Sequence, residues 1–329
     1  MQLPEWLCFF QRRFPSANSI LICTERPVLV DSGFGSDLSA TERLLTEAEV
    51  APESLSLIVN THYHSDHTGG NSGLQRRFGV PIGAHRWEAD LVNRRDRMAC
   101  GAEWLDQPVE AYQVDLPLSD GDVINAGAVQ LQVLHTPGHT LGHICLYEME
   151  HRVLISGDLL HRGDVAWMNV FQEGVGAVQR IMESLDGLLR LPIDVVCPGH
   201  GPLIEDATDA IERALHRYER WLNEPQKMAW HAMKRIFAYA LMLLDGLPER
   251  EVKLYLLKCP WFRDYSQWYF DSKPDDFVAP LIDEMLRSGA AAWINGRLIA
   301  QTPYNAPPKD WVTGPSRPRH WSAVKVKAL

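Results

Sequence analysis

Through the first two hundred residues, short apolar runs keep giving way to turns that carry histidine or aspartate, most with a glycine close by. Val28-Leu29-Val30 leads into Asp31-Ser32-Gly33. The run Leu55, Leu57, Ile58 and Val59 leads into Thr61-His62-Tyr63-His64-Ser65-Asp66-His67. The alternating stretch Val129 to Leu134 opens into His135-Thr136-Pro137-Gly138-His139-Thr140-Leu141-Gly142-His143. Val153-Leu154-Ile155-Ser156 ends at Gly157-Asp158, and Ile193 to Cys197 ends at Pro198-Gly199-His200-Gly201. Runs of this length bounded by turn residues read as buried strands. Between them, Ser39-Ala40-Thr41-Glu42 reads as a capping box for a helix through Val50. Residues 73–78 and 86–100 read as further helices. Residues 175–190 are amphipathic, with Val178, Ile181, Met182, Leu185, Leu188 and Leu189 on one face. Alternation of this kind predicts the α/β class.

After His200 the pattern becomes helical. Residues 205–223 read as a charged amphipathic helix with Ile211, Ala214, Leu215 and Tyr218 as its apolar stripe, broken at Glu224-Pro225. Further helices are expected over 226–244, 249–257 and 275–288. Asn295-Gly296, between two short apolar runs, is a two-residue hairpin signal. Helices followed by such a hairpin resemble a winged helix. Within 274–288, however, Asp275, Asp276, Asp283 and Glu284 stand against Arg287 alone, an acidic face unsuited to phosphates. The expected roles for this module are to cover the cleft and wall a substrate pocket, or to form a homodimer contact. Trp261, Phe262, Tyr265, Trp268, Tyr269 and Phe270 are candidates for those walls or for the module's own core. So, for the pocket, are Met98, Trp104, Leu105 and Tyr112. From Thr302 onward the chain is proline-rich and ends basic, which predicts a loosely packed tail. The expected organisation is a catalytic domain over 1–205, a helical module over 206–301 and a tail over 302–329.

Composition adds limits. A net charge of −10 over 329 residues argues against general affinity for nucleic acid. No apolar stretch nears the length that spans a bilayer. The six cysteines are scattered without a C-x-x-C pair, and Met1 to Phe14 lacks a positive n-region. Both point to a reducing cytoplasm.

The histidine cluster carries the chemistry. Four metal-capable side chains fall within six residues at a strand end, and imidazoles crowded there repel when protonated unless a cation holds them. His62 and His64, two apart, point the same way on an extended segment. Together the run T-H-x-H-x-D-H, the segment T-P-G-H-T-x-G-H-I-C, S-G-D-L-L and P-G-H-G resemble the metallo-β-lactamase superfamily, in wording most similar to its glyoxalase II (hydroxyacylglutathione hydrolase) branch. The resemblance covers residues 17–205. It implies an αββα sandwich followed by a smaller, mostly helical module that ends in a β-hairpin. It also implies two divalent metal ions, one held by His62, His64 and His139, the other by Asp66, His67 and His200. Asp158 would bridge them, and Asp31 would steady the metal loop from behind. Zinc suits these ligands, as do iron and manganese.

Two such cations acidify a shared water toward neutral pH and polarise a carbonyl. The implied reaction is hydrolysis of a small-molecule acyl substrate, such as a thioester, lactone or ester. Asp66 would orient the attacking water or pass a proton to the leaving group. His161 stands where related lactonases carry tyrosine; it would donate a hydrogen bond to an oxyanion or leaving group, or else face solvent. An endoribonuclease or other phosphodiesterase, and a mononuclear-iron persulfide dioxygenase, are the alternative activities on this scaffold.

Overall fold

The computed structural model describes residues 3–318. Two sheets stack face to face. The first orders six strands: β1 (Leu7–Phe10), β2 (Ser19–Ile22), β3 (Val28–Val30), β4 (Leu57–Val59), β5 (Ile82–His85) and β6 (Leu116–Leu118). The second contains β7 (Val123–Ala126), β8 (Val129–His135), β9 (Ile144–Glu148), β10 (Val153–Gly157) and β11 (Val195–Pro198), in the order β11-β10-β9-β8-β7. Side-chain alternation divides each strand between two cores. Ile20, Ile22, Val28, Val30, Leu57 and Val59 meet Leu131, Val133, Ile144, Leu146, Val153 and Ile155 between the sheets. Leu21, Leu29 and Ile58 instead point outward, beneath α1 (Leu38–Glu47), α3 (Asn71–Phe78) and α4 (Arg86–Asn93). On the other side, Tyr147, Leu154 and Val196 pack under α6 (Ala177–Leu188) and α7 (Ala207–Asn223). Coverage on both faces explains why these strands read as nearly unbroken apolar runs. Two four-residue helices, α2 (Ser65–Thr68) and α5 (Val170–Glu173), lie in the loops. The architecture is the expected αββα sandwich.

Strand direction gathers the functional loops. In the first sheet β3 and β4 are parallel, so Asp31 and the His62 run leave at the same edge. In the second, β8 and β10 each run antiparallel to β9, and β11 runs parallel to β10. The C-terminal ends of β8, β10 and β11 therefore deliver His139, Asp158 and His200 together.

The remaining elements form a module with its own core. They are α8 (Pro225–Leu243), β12 (Leu247–Pro248), α9 (Glu249–Lys258), α10 (Pro260–Phe270), α11 (Pro274–Arg287), β13 (Ala291–Ile294) and β14 (Arg297–Ala300). The strands pair in the order β12-β14-β13. Asn295 (φ 50°) and Gly296 (φ 74°) make the hairpin turn, both in the left-handed region that such turns require.

Several expectations differ from the structure. The Ser39-to-Glu42 capping box is not used: the helix begins at Leu38, and the Asp37 carboxylate accepts from Ser16 (2.6 Å) instead of capping it. The helix expected over 86–100 stops at Asn93, because Arg95 (φ 58°) and Cys100 (φ 60°) turn the chain away. By packing, α7 belongs to the sandwich, so the separate module core begins with α8. Within 302–318 the tail is packed: Val312 of α12 (Lys309–Thr313) is buried with Phe34 and Leu243. Arg317 reaches Asp106 at 2.8 Å. Lys325 and Lys327, part of the basic end, lie outside the described residues. Among the described residues no helix is long and apolar enough to cross a membrane.

Candidate metal centre

All seven predicted donors come together at one edge of the sandwich. His64 Nδ1 lies 2.9 Å from His62 Nε2 and 3.0 Å from His139 Nε2, so three imidazole nitrogens share one point. A second group forms around Asp66 Oδ2, 3.2 Å from His200 Nε2 and 3.9 Å from His67 Nε2. The Asp158 carboxylate stands between them. Its Oδ1 is 3.3 Å from His67 Nε2 and 3.7 Å from His200 Nε2, while Oδ2 is 3.6 Å from His139 Nε2.

Groups behind the donors fix which atoms face inward. The Trp167 carbonyl can only accept, so the 3.0 Å contact from His139 Nδ1 places the proton there and turns the Nε2 lone pair toward the cluster. Asp31 does the same for His67, whose Nδ1–H donates to Asp31 Oδ2 at 2.7 Å. Asp31 also accepts from the Thr61 amide (2.9 Å) and hydroxyl (2.7 Å), which ties two ends of the His62 run to one carboxylate. These bonds hold Asp31 in the left-handed region (φ 58°), unusual for a residue with a side chain. Gly199 is required by close approach: a Cβ there would lie 2.4 Å from Asp158 Oδ1 and 2.8 Å from the His67 ring.

Electrostatics separates the two halves. Burial drives His62 and His139 below the ordinary imidazole range and His64 down to about 3, and the neighbouring rings add to this for His62 and His64. This trio is therefore neutral and offers lone pairs. Burial would also lower His67, but Asp31, Asp158 and Asp66 outweigh it and hold that ring well above its usual value. For Asp158, burial would raise the carboxyl, yet His200, His67 and His161 keep it well below the carboxylate range. Asp66 is lowered in the same way by His67 and His200 against burial.

The donor set fits a divalent cation. Three neutral imidazole nitrogens this close cannot satisfy one another with hydrogen bonds alone. His67 Nε2 and Asp158 Oδ1 are buried without a hydrogen-bond partner. Nitrogen and carboxylate donors in these groups suit zinc, iron or manganese.

His161 faces this cluster. Its Nε2 is 3.4 Å from Asp158 Oδ1, its side chain is 14% exposed, and it lines the cavity above the donors. That cavity, about 240 Å³, has His64, Asp66, Asp158 and His200 at its floor. Phe14, Trp167, Leu105 and the α8 residues Ile236, Ala238, Tyr239 and Met242 are among its walls. Of the proposed wall residues, Leu105 takes that place. Tyr112 is buried in the core under the first sheet, Met98 is exposed, and the Trp104 indole donates to Asp264 at 2.7 Å. Trp261, Phe262 and Tyr265 are fully buried as the module's core, and Trp268 is 73% exposed, so these rings do not wall the cavity.

Other contributors were not singled out by the sequence reading. The Phe14 ring stacks on His200 at 4.8 Å, and Trp167 stacks on His64 at 5.6 Å. His143 accepts the Asp158 amide at Nε2 (3.2 Å) and meets the Thr136 hydroxyl through Nδ1 (2.9 Å); its place in the His135-to-His143 motif was the available signal. Glu173 accepts from the Leu141 amide (2.7 Å) and the Tyr63 hydroxyl (3.3 Å). One buried carboxylate thereby braces the loops that carry His62, His64 and His139. No sequence motif marks it.

Comparison with known proteins agrees with this geometry. The family model described as "Metallo-beta-lactamase superfamily" matches residues 12–200. The "Acyl-coenzyme A thioesterase MBLAC2" of Homo sapiens is 32% identical over 252 residues, covering 68% of this chain and 85% of that protein. A hydroxyacylglutathione hydrolase from Polaromonas sp. is 36% identical over 163 residues, 48% of this chain and 53% of its own. Among solved structures, a metallo-beta-lactamase family protein from Thermus thermophilus superposes with a TM-score of 0.59 at 23% identity. It covers 91% of this chain and 100% of its own, so the shared fold extends past residue 200.

Proposed function

This chain belongs to the metallo-beta-lactamase superfamily and is an enzyme of that family; we propose that it is a dinuclear metallohydrolase that cleaves the thioester bond of acyl thiols. The observation that carries this reading is the convergence of seven nitrogen and oxygen donors, four of which (His64, Asp66, Asp158 and His200) form the floor of a cavity with largely apolar walls. The MBLAC2 relatives, named as acyl-coenzyme A thioesterases, support the choice of thioester over lactone or ester. In this reading His62, His64 and His139 would hold one divalent cation and Asp66, His67 and His200 the other, with Asp158 available to both. When bound, such a pair supplies Lewis acidity toward the carbonyl and a water acidified toward neutral pH.

The chain's own groups do the rest. Asp66, its carboxylate 3.2 Å from His200 and open to the cavity, orients the water and carries its proton away. In this reading His161, which lines the cavity and whose Nε2 has no hydrogen-bond partner, donates to the developing oxyanion. A thiolate leaves with a pKa near 8.5, so the departing sulfur needs little help from an acid. Trp167, stacked on His64, and the α8 wall exclude bulk water from the reacting carbonyl.

A phosphodiester reading lacks comparable support. Of the two guanidinium groups that line the cavity, Arg235 is already paired with Asp164. The deciding experiment compares metal-loaded protein and His62→Ala on an acyl thioester, a lactone, an aryl ester and single-stranded RNA, with oxygen uptake on a persulfide as a fifth arm. Metal-dependent thioester cleavage that is lost in the variant is expected. Cleavage of RNA or consumption of oxygen in its place overturns the reading.

A further inference from the structure

We propose that the cavity is an acyl-chain site whose depth is set by one face of α8, with Ala238 and Met242 as the residues that determine chain length. The inference rests on the thioesterase reading above and goes on to name the part of the substrate that this cavity takes. Five α8 residues line it, Arg235, Ile236, Ala238, Tyr239 and Met242. Their spacing of one, two, one and three keeps them on a single helical face, and the seven steps from Arg235 to Met242 span about 10 Å at 1.5 Å per residue.

Polarity is graded along that face. At one end Arg235 pairs with Asp164, which also takes Arg217 at 2.8 Å. In the middle, the Tyr239 hydroxyl is engaged, donating to the Pro15 carbonyl at 3.0 Å. At the other end stands Met242, which belongs with Leu105, Ile236 and Ala238 to one apolar cluster. A carboxylate or phosphate entering that end would lose its water without gaining a partner. An alkyl chain there gains about fourfold in affinity per buried methylene.

The surroundings set the direction of the substrate. Across the His161–Val165 loop, the cavity adjoins a groove of about 960 Å³ along the polar side of α7, bordered by Arg213, Arg217 and Arg220 as well as Asp206 and Asp209. His161, Arg162, Asp164 and Val165 border both spaces. A hydrated thiol carrier suits the groove, and the acyl chain suits the cavity. The carbonyl then lies between them, over the donors.

The test measures kcat/KM of the full, metal-loaded chain on acetyl, butanoyl, hexanoyl, octanoyl and dodecanoyl coenzyme A. It also measures binding of two thioethers that cannot be hydrolysed, S-ethyl and S-octyl coenzyme A. Expected are a rise of up to about fourfold per methylene until the cavity fills, and S-octyl binding at least tenfold tighter than S-ethyl. Ala238→Leu should lower the octanoyl-to-acetyl ratio of kcat/KM at least tenfold. Met242→Ala, which adds room, should move the optimum toward longer chains and serves as the independent variant if Ala238→Leu does not fold. A flat chain-length profile with equal thioether binding overturns the proposal while leaving thioester hydrolysis intact. So does an unchanged ratio in folded Ala238→Leu. Tighter S-octyl binding with no thioester hydrolysed at any length sustains the site and sinks the reaction. Absence of both hydrolysis and chain-length preference overturns both.

Discussion

The floor and the roof of one cavity are built on opposite principles. The floor rests on single atoms held in place: seven donors from four loops, two of them, His67 and His139, turned inward by a second hydrogen bond to Asp31 or to the Trp167 carbonyl. The roof is a helix face from the added module, where Ala238 and Met242 present volume and no particular atom. The contrast predicts two kinds of sensitivity. Changing an atom at the floor removes the reaction; changing a side chain at the roof alters which substrate fits.

The strongest test of that division is His139→Ala. Its Nε2 contributes to the trio with His62 and His64, and nothing nearby replaces it. A loss of at least a thousandfold in kcat/KM is expected, about 4 kcal/mol at ~1.4 kcal/mol per tenfold, together with fewer metal ions per chain by elemental analysis. A variant within tenfold of the parent and fully metallated would mean that the floor is not the reactive centre.

Next in size is a pH effect from the brace behind the floor. Burial pushes the Glu173 carboxyl up to about 7, despite hydrogen bonds from Leu141 and Tyr63 that favour its charged form. The folded chain thus holds this proton more tightly than the unfolded chain, whose glutamate titrates near 4.3. Stability from this group is complete below about pH 4 and declines as pH rises through about 7, by on the order of 3 kcal/mol. Glu173→Gln keeps an acceptor for Leu141 and cannot ionise. Denaturant unfolding should show the variant gaining on the parent between pH 5 and pH 8. An equal stability difference at both values refutes the assignment.

Asp31→Ala comes third. It removes the acceptor that orients His67 and closes the His62 loop without touching a donor atom. Losses of such supporting partners typically lower metal affinity 10–100-fold. Competition with a chelator measures this directly. Unaltered affinity would show that the donors keep their aim unaided.

The same contrast explains what could be read from the sequence. The floor was legible because each donor loop follows an apolar run, so local pattern alone placed His62, His139, Asp158 and His200 just beyond strand ends. The expectation that they converge came from resemblance, and β9, antiparallel to both β8 and β10, is the physical link that supplies it. The supports were not legible. Trp167 acts through its backbone carbonyl, which any residue could provide, and Glu173 is marked only by its distance from Leu141 and Tyr63. The roof misled in a different way. The aromatics of α10 suggested a pocket wall, but large rings bury the most surface and became the module's own core. The wall fell instead to Phe14, Trp167 and one face of α8. Helical periodicity puts that face in one stripe without saying what lies opposite.

The smallest effect belongs to the seam where roof meets floor. Tyr239 spans it. Its hydroxyl donates to the Pro15 carbonyl at 3.0 Å, and its ring meets Phe14 edge-on at 6.2 Å, while Phe14 stacks on His200. Tyr239→Phe deletes the hydrogen bond and keeps both ring contacts. The Pro15 carbonyl loses one neutral bond, worth about 1 kcal/mol. The expected result is a loss of stability of that size and a change in kcat/KM of less than tenfold, carried by KM. If kcat falls a hundredfold with KM unchanged, α8 acts on the reacting atoms themselves. The roof would then be part of the floor, and the division drawn here would not hold.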